Sequence, residues 1–347
     1  HPILKTPNLD AMCANGLTFK RFYAGGPVCS PTRATVLTGR THDRTGVFDH
    51  GYALRLQEKT LAQALKKAGY ATGHFGKWHL NGLRGPGVPI DKDYPNGPQH
   101  FGFEHWVSTT NFFDLNPILS RNGNFKEFKG DSSEVVAEEA LSFISKQAKK
   151  QIPFLCVIWY GTPHSPFVSL EKDQDDFLEL NENSKHHYAE LKAMDRSIGT
   201  LRKGLSSLSI NENTMLWFMS DNGGLPRIYP PANGGLRDHK GSLYEGGIRV
   251  PSIIEWPHGI STPRQTDYPC GAVDIFPTIS KIVNLPENSH LQPQDGESLV
   301  NLFTNKKLKR TKPLIFSSRK RMAIIDNEWK LISIPNKNGR ELELYNL

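Results

Sequence analysis

Two apolar runs that do not alternate constrain this fold more than any other feature. Phe154-Leu155-Cys156-Val157-Ile158-Trp159-Tyr160 and Met215-Leu216-Trp217-Phe218-Met219 contain no charged residue. A strand with one wet face alternates, so continuous runs of this kind fit strands covered on both faces. Each run follows a helical pattern. Val136, Ala140, Leu141 and Ile144 share one face ahead of the first, where Asp131-x-x-Glu134 can cap a helix running to about Lys150. Tyr188, Leu191, Met194, Ile198, Leu201 and Leu205 do the same ahead of the second. Further helices are expected at Thr6–Met12 (stopped by Gly16), Thr60–Ala68 and Val273–Val283, with strands at Leu17–Tyr23 and Tyr70–Phe75. Alternation of this sort specifies an α/β fold: a large, mostly parallel central sheet flanked by helices. Near the end, Met322–Ile325 and Lys330–Ile334 alternate around Asp326-Asn327, the start of a small antiparallel α+β domain. The division expected is 1–310 for the large domain and 311–347 for a partial small-sheet subdomain.

A chain of 347 residues can bury one large core with a small satellite. No run reaches the 18 or so apolar residues of a membrane span. The net charge of +7 is local: Lys306, Lys307, Lys309, Arg310, Lys312, Arg319, Lys320 and Arg321 have no acid between them. The segment reads as a solvated connection between domains, or as a patch for polyanions such as sulfated glycans. No nucleic-acid motif accompanies it, and no nucleic-acid partner is expected. Cys13, Cys29, Cys156 and Cys270 have neither C-x-x-C nor zinc spacing. Cys13 and Cys156 read as core residues.

In open α/β sheets, ligands bind beyond the carboxyl ends of the strands. Three expected strands end in unusual polar groups: Gly76-Lys77-Trp78-His79, then Gly161-Thr162-Pro163-His164-Ser165-Pro166, then Ser220-Asp221-Asn222-Gly223-Gly224. Taken singly, Lys77 is a surface charge, His79 a cap or core residue, His164 a loop residue between prolines, and Asp221-Asn222-Gly-Gly a turn. Taken together they are a site. Asp221 and Asn222 offer oxygen to a hard cation such as Ca²⁺ or Mg²⁺. Lys77, Lys240 and Arg33 offer positive charge to a bound anion, and His79 and His164 can move protons. The fourth element is Cys29-Ser30-Pro31-Thr32-Arg33, at the mouth of a short helix that Ser30 or Cys29 can cap and Gly39 can end. An anion held there faces unpaired N–H groups, the helix dipole and Arg33.

The run from Cys29 through Thr38-Gly39-Arg40 resembles that of the type I sulfatases of the alkaline phosphatase superfamily. The likeness continues through Gly76-Lys77-Trp78-His79, Pro163-His164-Ser165-Pro166, Asp221-Asn222-Gly-Gly, and Lys240-Gly241 ahead of Glu245-Gly-Gly-Ile-Arg-Val-Pro251. Thr6-Pro7-Asn8-Leu9-Asp10, Asp274-Ile-Phe-Pro-Thr278, Trp329-Lys330-Leu331 and Glu343-Leu-Tyr345 extend it over essentially the whole chain. The resemblance implies hydrolysis of a carbohydrate, alcohol or aryl sulfate. It implies Cys29 oxidised to formylglycine by a formylglycine-generating enzyme, with the aldehyde hydrate as nucleophile. Arg33 would hold the hydrate, Lys77 and Lys240 the sulfate, and Asp221 and Asn222 the Ca²⁺ or Mg²⁺. His164 or Lys240 would protonate the departing alcohol, and His79 would take the proton that lets sulfate leave. A periplasmic or secreted location follows from the same likeness.

One feature of the pattern is absent. The family carries two adjacent aspartates at the end of a first strand, upstream of T-P-N-L-D, and nothing precedes His1 here. The expectation is a sequence incomplete at both ends, which as it stands would bind metal weakly and turn over little. Three other activities fit parts of the pattern: a phosphonate monoester or phosphodiester hydrolase, a thiol hydrolase using unmodified Cys29, and a non-catalytic binder of sulfated glycans. The Gly- and Pro-rich stretches 81–100 and 226–238 are expected to shape the cleft.

Overall fold

The computed structural model describes residues 1–304 and 309–347. The chain opens with α1 (Pro7–Asn15), β1 (Leu17–Tyr23), α2 (Cys29–Thr38), α3 (His42–Thr45), α4 (Leu61–Lys67) and β2 (Ala71–Lys77). It continues through β3 (His105–Thr109), β4 (Ile118–Arg121), β5 (Asn124–Glu127), α5 (Ser132–Lys149), β6 (Phe154–Trp159) and α6 (Glu171–Gln174). Next come α7 (Glu182–Ser207), β7 (Leu216–Met219), α8 (Glu245–Ile248), β8 (Arg249–Glu255), β9 (Arg264–Thr266), β10 (Cys270–Gly271) and α9 (Ile275–Ile282). A small sheet follows: β11 (Leu314–Ser318), β12 (Arg321–Asp326), β13 (Trp329–Asn336) and β14 (Gly339–Asn346).

Local chemistry sets most boundaries. Pro7 occupies the first turn of α1, and Gly39 closes α2 in the left-handed region, donating to Thr35 O at 2.9 Å. Thr60 and Gln63 form a capping box on α4, while Asp131 Oδ1 accepts from Ser133 N at 2.8 Å at the mouth of α5. The expected cap of α2 does not form. Val28 is the N-cap and Cys29 the first helical residue, because the Ser30 hydroxyl is committed elsewhere, donating to His79 O at 2.7 Å.

β2, β3 and β6 pair in parallel, extended by the antiparallel hairpin β4–β5, in the order β5-β4-β3-β2-β6. A second group runs β10-β1-β8-β7, with β9 also on β1 and β8 antiparallel to both neighbours. Helices cover both faces. α5 and α7 enclose Phe75, Val136, Phe143 and Leu201, while α4 and α9 close over Phe19, Phe22, Ile254 and Phe276. Between β6 and β7 lies a cavity of about 910 Å³, lined by Cys156, Ile158, Leu216 and Phe218 from the strands and by Ile198 and Leu201 of α7. Among the described residues, β6 pairs only with β2 and β7 only with β8, so an unpaired edge of each borders this slot.

The four-stranded antiparallel sheet buries Phe316, Ala323, Ile325 and Ile332 against Tyr23, Ile248 and Val273 of the large domain. Arg310 seals the join, donating to Asp274 Oδ2 at 2.7 Å and Oδ1 at 2.8 Å with both side chains 0% exposed. This corrects the reading of 306–321 as a solvated connection at Arg310; Lys309, Lys312, Arg319, Lys320 and Arg321 are exposed, as that reading expects. Arg310 is core, and Lys312 Nζ is tied to Gln294 O and Gly296 O at 2.9 and 3.1 Å. Lys306 and Lys307 lie outside the described residues. No described helix is long and apolar enough to cross a membrane.

Candidate active site

Four carboxyl-terminal strand ends meet at Cys29. Its thiol, 3% exposed, receives Lys77 Nζ from the last residue of β2 at 3.4 Å. Lys240 Nζ approaches from the loop before α8 at 3.5 Å, and Sγ lies 3.5 Å from Asn222 Oδ1 after β7. The imidazoles of His79 and His164 also face the sulfur. Arg33, one turn into α2, donates to Lys77 O at 2.7 Å and Asp221 Oδ2 at 2.6 Å, with its guanidinium 4.8 Å from the Trp159 ring centroid. All eight side chains singled out in the sequence therefore converge.

Burial opposes ionisation of the Cys29 thiol, yet Lys77, Lys240 and the two histidines outweigh it and hold the thiol well below its ordinary value. Lys77 is 2% exposed, and burial pulls its ammonium down. Burial also takes His79 down to about 4, so its ring is neutral at pH 7. Both His79 ring nitrogens are buried without a partner among the described residues, as is Arg33 Nε. Orphaned donors and acceptors around one small side chain make a cradle for a more oxygen-rich group than a thiol. The backbone supports this. His79 holds a left-handed φ of 53°, fixed by its N–H to Thr110 O at 2.7 Å. Gly223 N donates to Gly247 O at 2.9 Å, and a Cβ at Gly223 would meet Gly246 O at 1.8 Å. Only glycine lets these two loops touch.

His164 Nδ1 donates to Ser165 O at 2.8 Å, which leaves Nε2 outside that bond, and its ring stacks on Phe112 with centroids 4.4 Å apart. Sequence reasoning missed Phe112 and Trp159, and took Ser30 for a helix cap only. Ser30 Oγ joins His79 O to Gly51 N at 2.9 Å and so ties the helix mouth to two loops. Nothing in a lone serine or a core tryptophan marks such a role.

For a cation, the fit is partial. Asp221 and Asn222 are two oxygen donors where Ca²⁺ takes about six to eight, and Asp221 already answers Arg33. No group of three or more His, Cys, Asp or Glu suited to a metal occurs among the described residues.

A model of the sulfatase family matches residues 1–285. The chain belongs to the type I sulfatases of the alkaline phosphatase superfamily. The ulvan-active sulfatase of Formosa agariphila is 30% identical over 321 residues, which is 86% of this chain and 61% of the relative. The N-acetylgalactosamine-6-sulfatase of Canis lupus familiaris is 31% identical over 316 residues, covering 82% and 58%. This sulfatase chain thus spans about three fifths of the length of the curated relatives it matches. The structure of Ps i-CgsB in complex with k-i-k-neocarrahexaose superposes with a TM-score of 0.86 at 25% identity, over 98% of this chain and 80% of that one.

Proposed function

We propose that this chain carries the reaction centre of a sulfuric ester hydrolase that removes sulfate from carbohydrates. The observation that carries the reading is the approach of Lys77 and Lys240 to one side chain, at 3.4 and 3.5 Å, with two imidazoles facing it. Two ammonium groups in a site nearly closed to water suit an anionic tetrahedral sulfuryl group, whose charge they would gather as sulfate is released. Carbohydrate is favoured because matched relatives are an ulvan-active sulfatase and N-acetylgalactosamine-6-sulfatases.

Cys29 is read as the precursor of formylglycine, formed by a formylglycine-generating enzyme, and the aldehyde hydrate would supply an oxygen nucleophile able to release sulfate by collapse. Arg33 fixes position 29 from the side, held by Lys77 O and Asp221. Lys77 and Lys240 clamp the sulfate oxygens. His164, its Nδ1 engaged by Ser165 O, presents Nε2 to the departing oxygen, and neutral His79 accepts a proton when sulfate leaves. Asp221 and Asn222 would hold Ca²⁺ or Mg²⁺, whose charge would favour an ionised hydroxyl nearby. An Asp–Asp pair of the kind the resemblance implies would add carboxylate oxygens to those of Asp221 and Asn222. A secreted or periplasmic location is part of this reading.

Mass spectrometry of the Cys29 peptide from the full-length enzyme, with sulfate release from 4-nitrophenyl sulfate, tests it. The expected result is a lighter peptide and activity that Cys29→Ala abolishes. Faster cleavage of a phosphodiester than of a sulfate would overturn the assignment. The lowered Cys29 thiol favours one second reading, a thiol hydrolase; activity with the thiol intact would establish that instead.

A further inference from the structure

Glu190 is a buried carboxyl that the chemistry above does not use. It sits on α7 at 0% exposure, and its Oε1 accepts from Val168 N at 2.9 Å. Its Oε2 has no partner among the described residues. The backbone N–H of His164 faces the same carboxyl. The Val168 bond, with the His164 N–H near the same carboxyl, brackets the loop that carries His164 beyond β6. Pro163 and Pro166 remove two N–H donors from that loop, so it has little means of tying itself down. Phe112 confines the imidazole on one side. Burial, then the neighbouring Asp114 and Asp131 carboxyls, hold Glu190 well above the usual carboxylate range. The tether is thus a neutral acid at pH 7, not an ion pair.

We propose that Glu190 is a positioning residue for His164: its carboxyl clasps the Pro-interrupted loop from α7 and sets where the imidazole stands against the departing oxygen. The inference rests on His164 being the proton donor to that oxygen. It predicts an effect that depends on the leaving group. 4-Nitrophenolate departs with little help, whereas the more basic phenolate needs the proton.

In the full-length enzyme, Glu190→Ala should lower kcat for phenyl sulfate about tenfold or more. For 4-nitrophenyl sulfate kcat should stay within about twofold, with KM unchanged for both. Glu190→Gln, whose amide oxygen can still accept from Val168 N, should restore the phenyl sulfate rate. Combining Glu190→Ala with His164→Ala should cost nothing beyond His164→Ala alone. Val168→Pro removes the same donor without altering α7 and should give the same selective loss, which decides the question if Glu190→Ala does not fold. Histidine-selective ¹⁵N NMR should show the His164 ring signals shifted in Glu190→Ala and not in Glu190→Gln. Equal losses on both substrates, no loss on either, or an additive double variant would overturn the proposal. An unaltered enzyme that hydrolyses no sulfate would instead sink the sulfatase reading, and the NMR comparison would still report on the tether.

Discussion

Lys77 shows how much one residue can be asked to do. It ends a strand, is 2% exposed, and aims its ammonium at Cys29 while its carbonyl receives Arg33. A buried ammonium without a permanent counter-ion is costly, and here burial lowers its proton affinity. A bound sulfate ester anion would offset that cost. Lys77→Ala should therefore reduce kcat/KM for an aryl sulfate about 10²–10³-fold with the fold intact by circular dichroism. Lys77→Arg should not rescue it, since the longer planar guanidinium does not fit a niche 3.4 Å from sulfur. Near-normal turnover in Lys77→Ala would remove this residue from the site. Most of the eight converging residues were legible because they stand just beyond an apolar strand or at a helix start, positions that packing does not fill with charge; Lys240, in a turn ahead of α8, was legible only through the sulfatase resemblance. Glu190 was not legible, being one polar letter within the amphipathic pattern of α7, where periodicity cannot distinguish a solvated glutamate from a buried one.

At the scale of elements, the loop before β4, the mouth of α5 and the body of α7 bring Asp114, Asp131 and Glu190 together. Burial, reinforced by Asp131, pushes Asp114 up to about 7, and burial raises Asp131 to about 6. Folded values above unfolded ones mean that stability is fully present below about pH 4 and is lost as pH rises through about 7. Each group can contribute a slope of at most about 1.4 kcal/mol per pH unit. Asp114→Asn should leave the melting temperature unchanged at pH 4 and raise it at pH 8 relative to the unaltered chain. Melting curves that shift equally at both pH values would rule out a carboxylate origin. Long elements were the easily read ones: β1 matches its expected span, and α5 and α7 carry the expected faces. β8 was missed because Arg249-Val-Pro-Ser interrupts its apolar run, and β5 because all four of its residues are exposed.

On the scale of the whole molecule, the large domain and the small sheet are joined by a bond that the sequence disguised. Arg310 sits in a stretch of eight positive charges without an acid, which reads as solvated surface. Its partner Asp274 is 36 residues away, at the turn ahead of α9. Local charge counting cannot pair residues brought together only by the tertiary fold, and for the same reason it could not see that Lys330 reaches Glu245 at 2.7 Å across the same interface. Removing one member of a fully buried pair strands the other without water, a loss of about 3–5 kcal/mol, whereas replacing both by apolar residues of similar size is often neutral. Arg310→Met alone should therefore lower unfolding stability by about that amount and make 311–347 the first segment released in limited proteolysis. Adding Asp274→Leu should recover most of the loss in denaturant titrations, unless the Asp274 contacts to Gly271 N and Glu297 N, at 2.9 and 2.8 Å, matter more than the pair itself. Recovery in the double variant would identify the ion pair as the fastening. Persistent instability would assign that role to the Asp274 backbone contacts, which hold the turn ahead of α9.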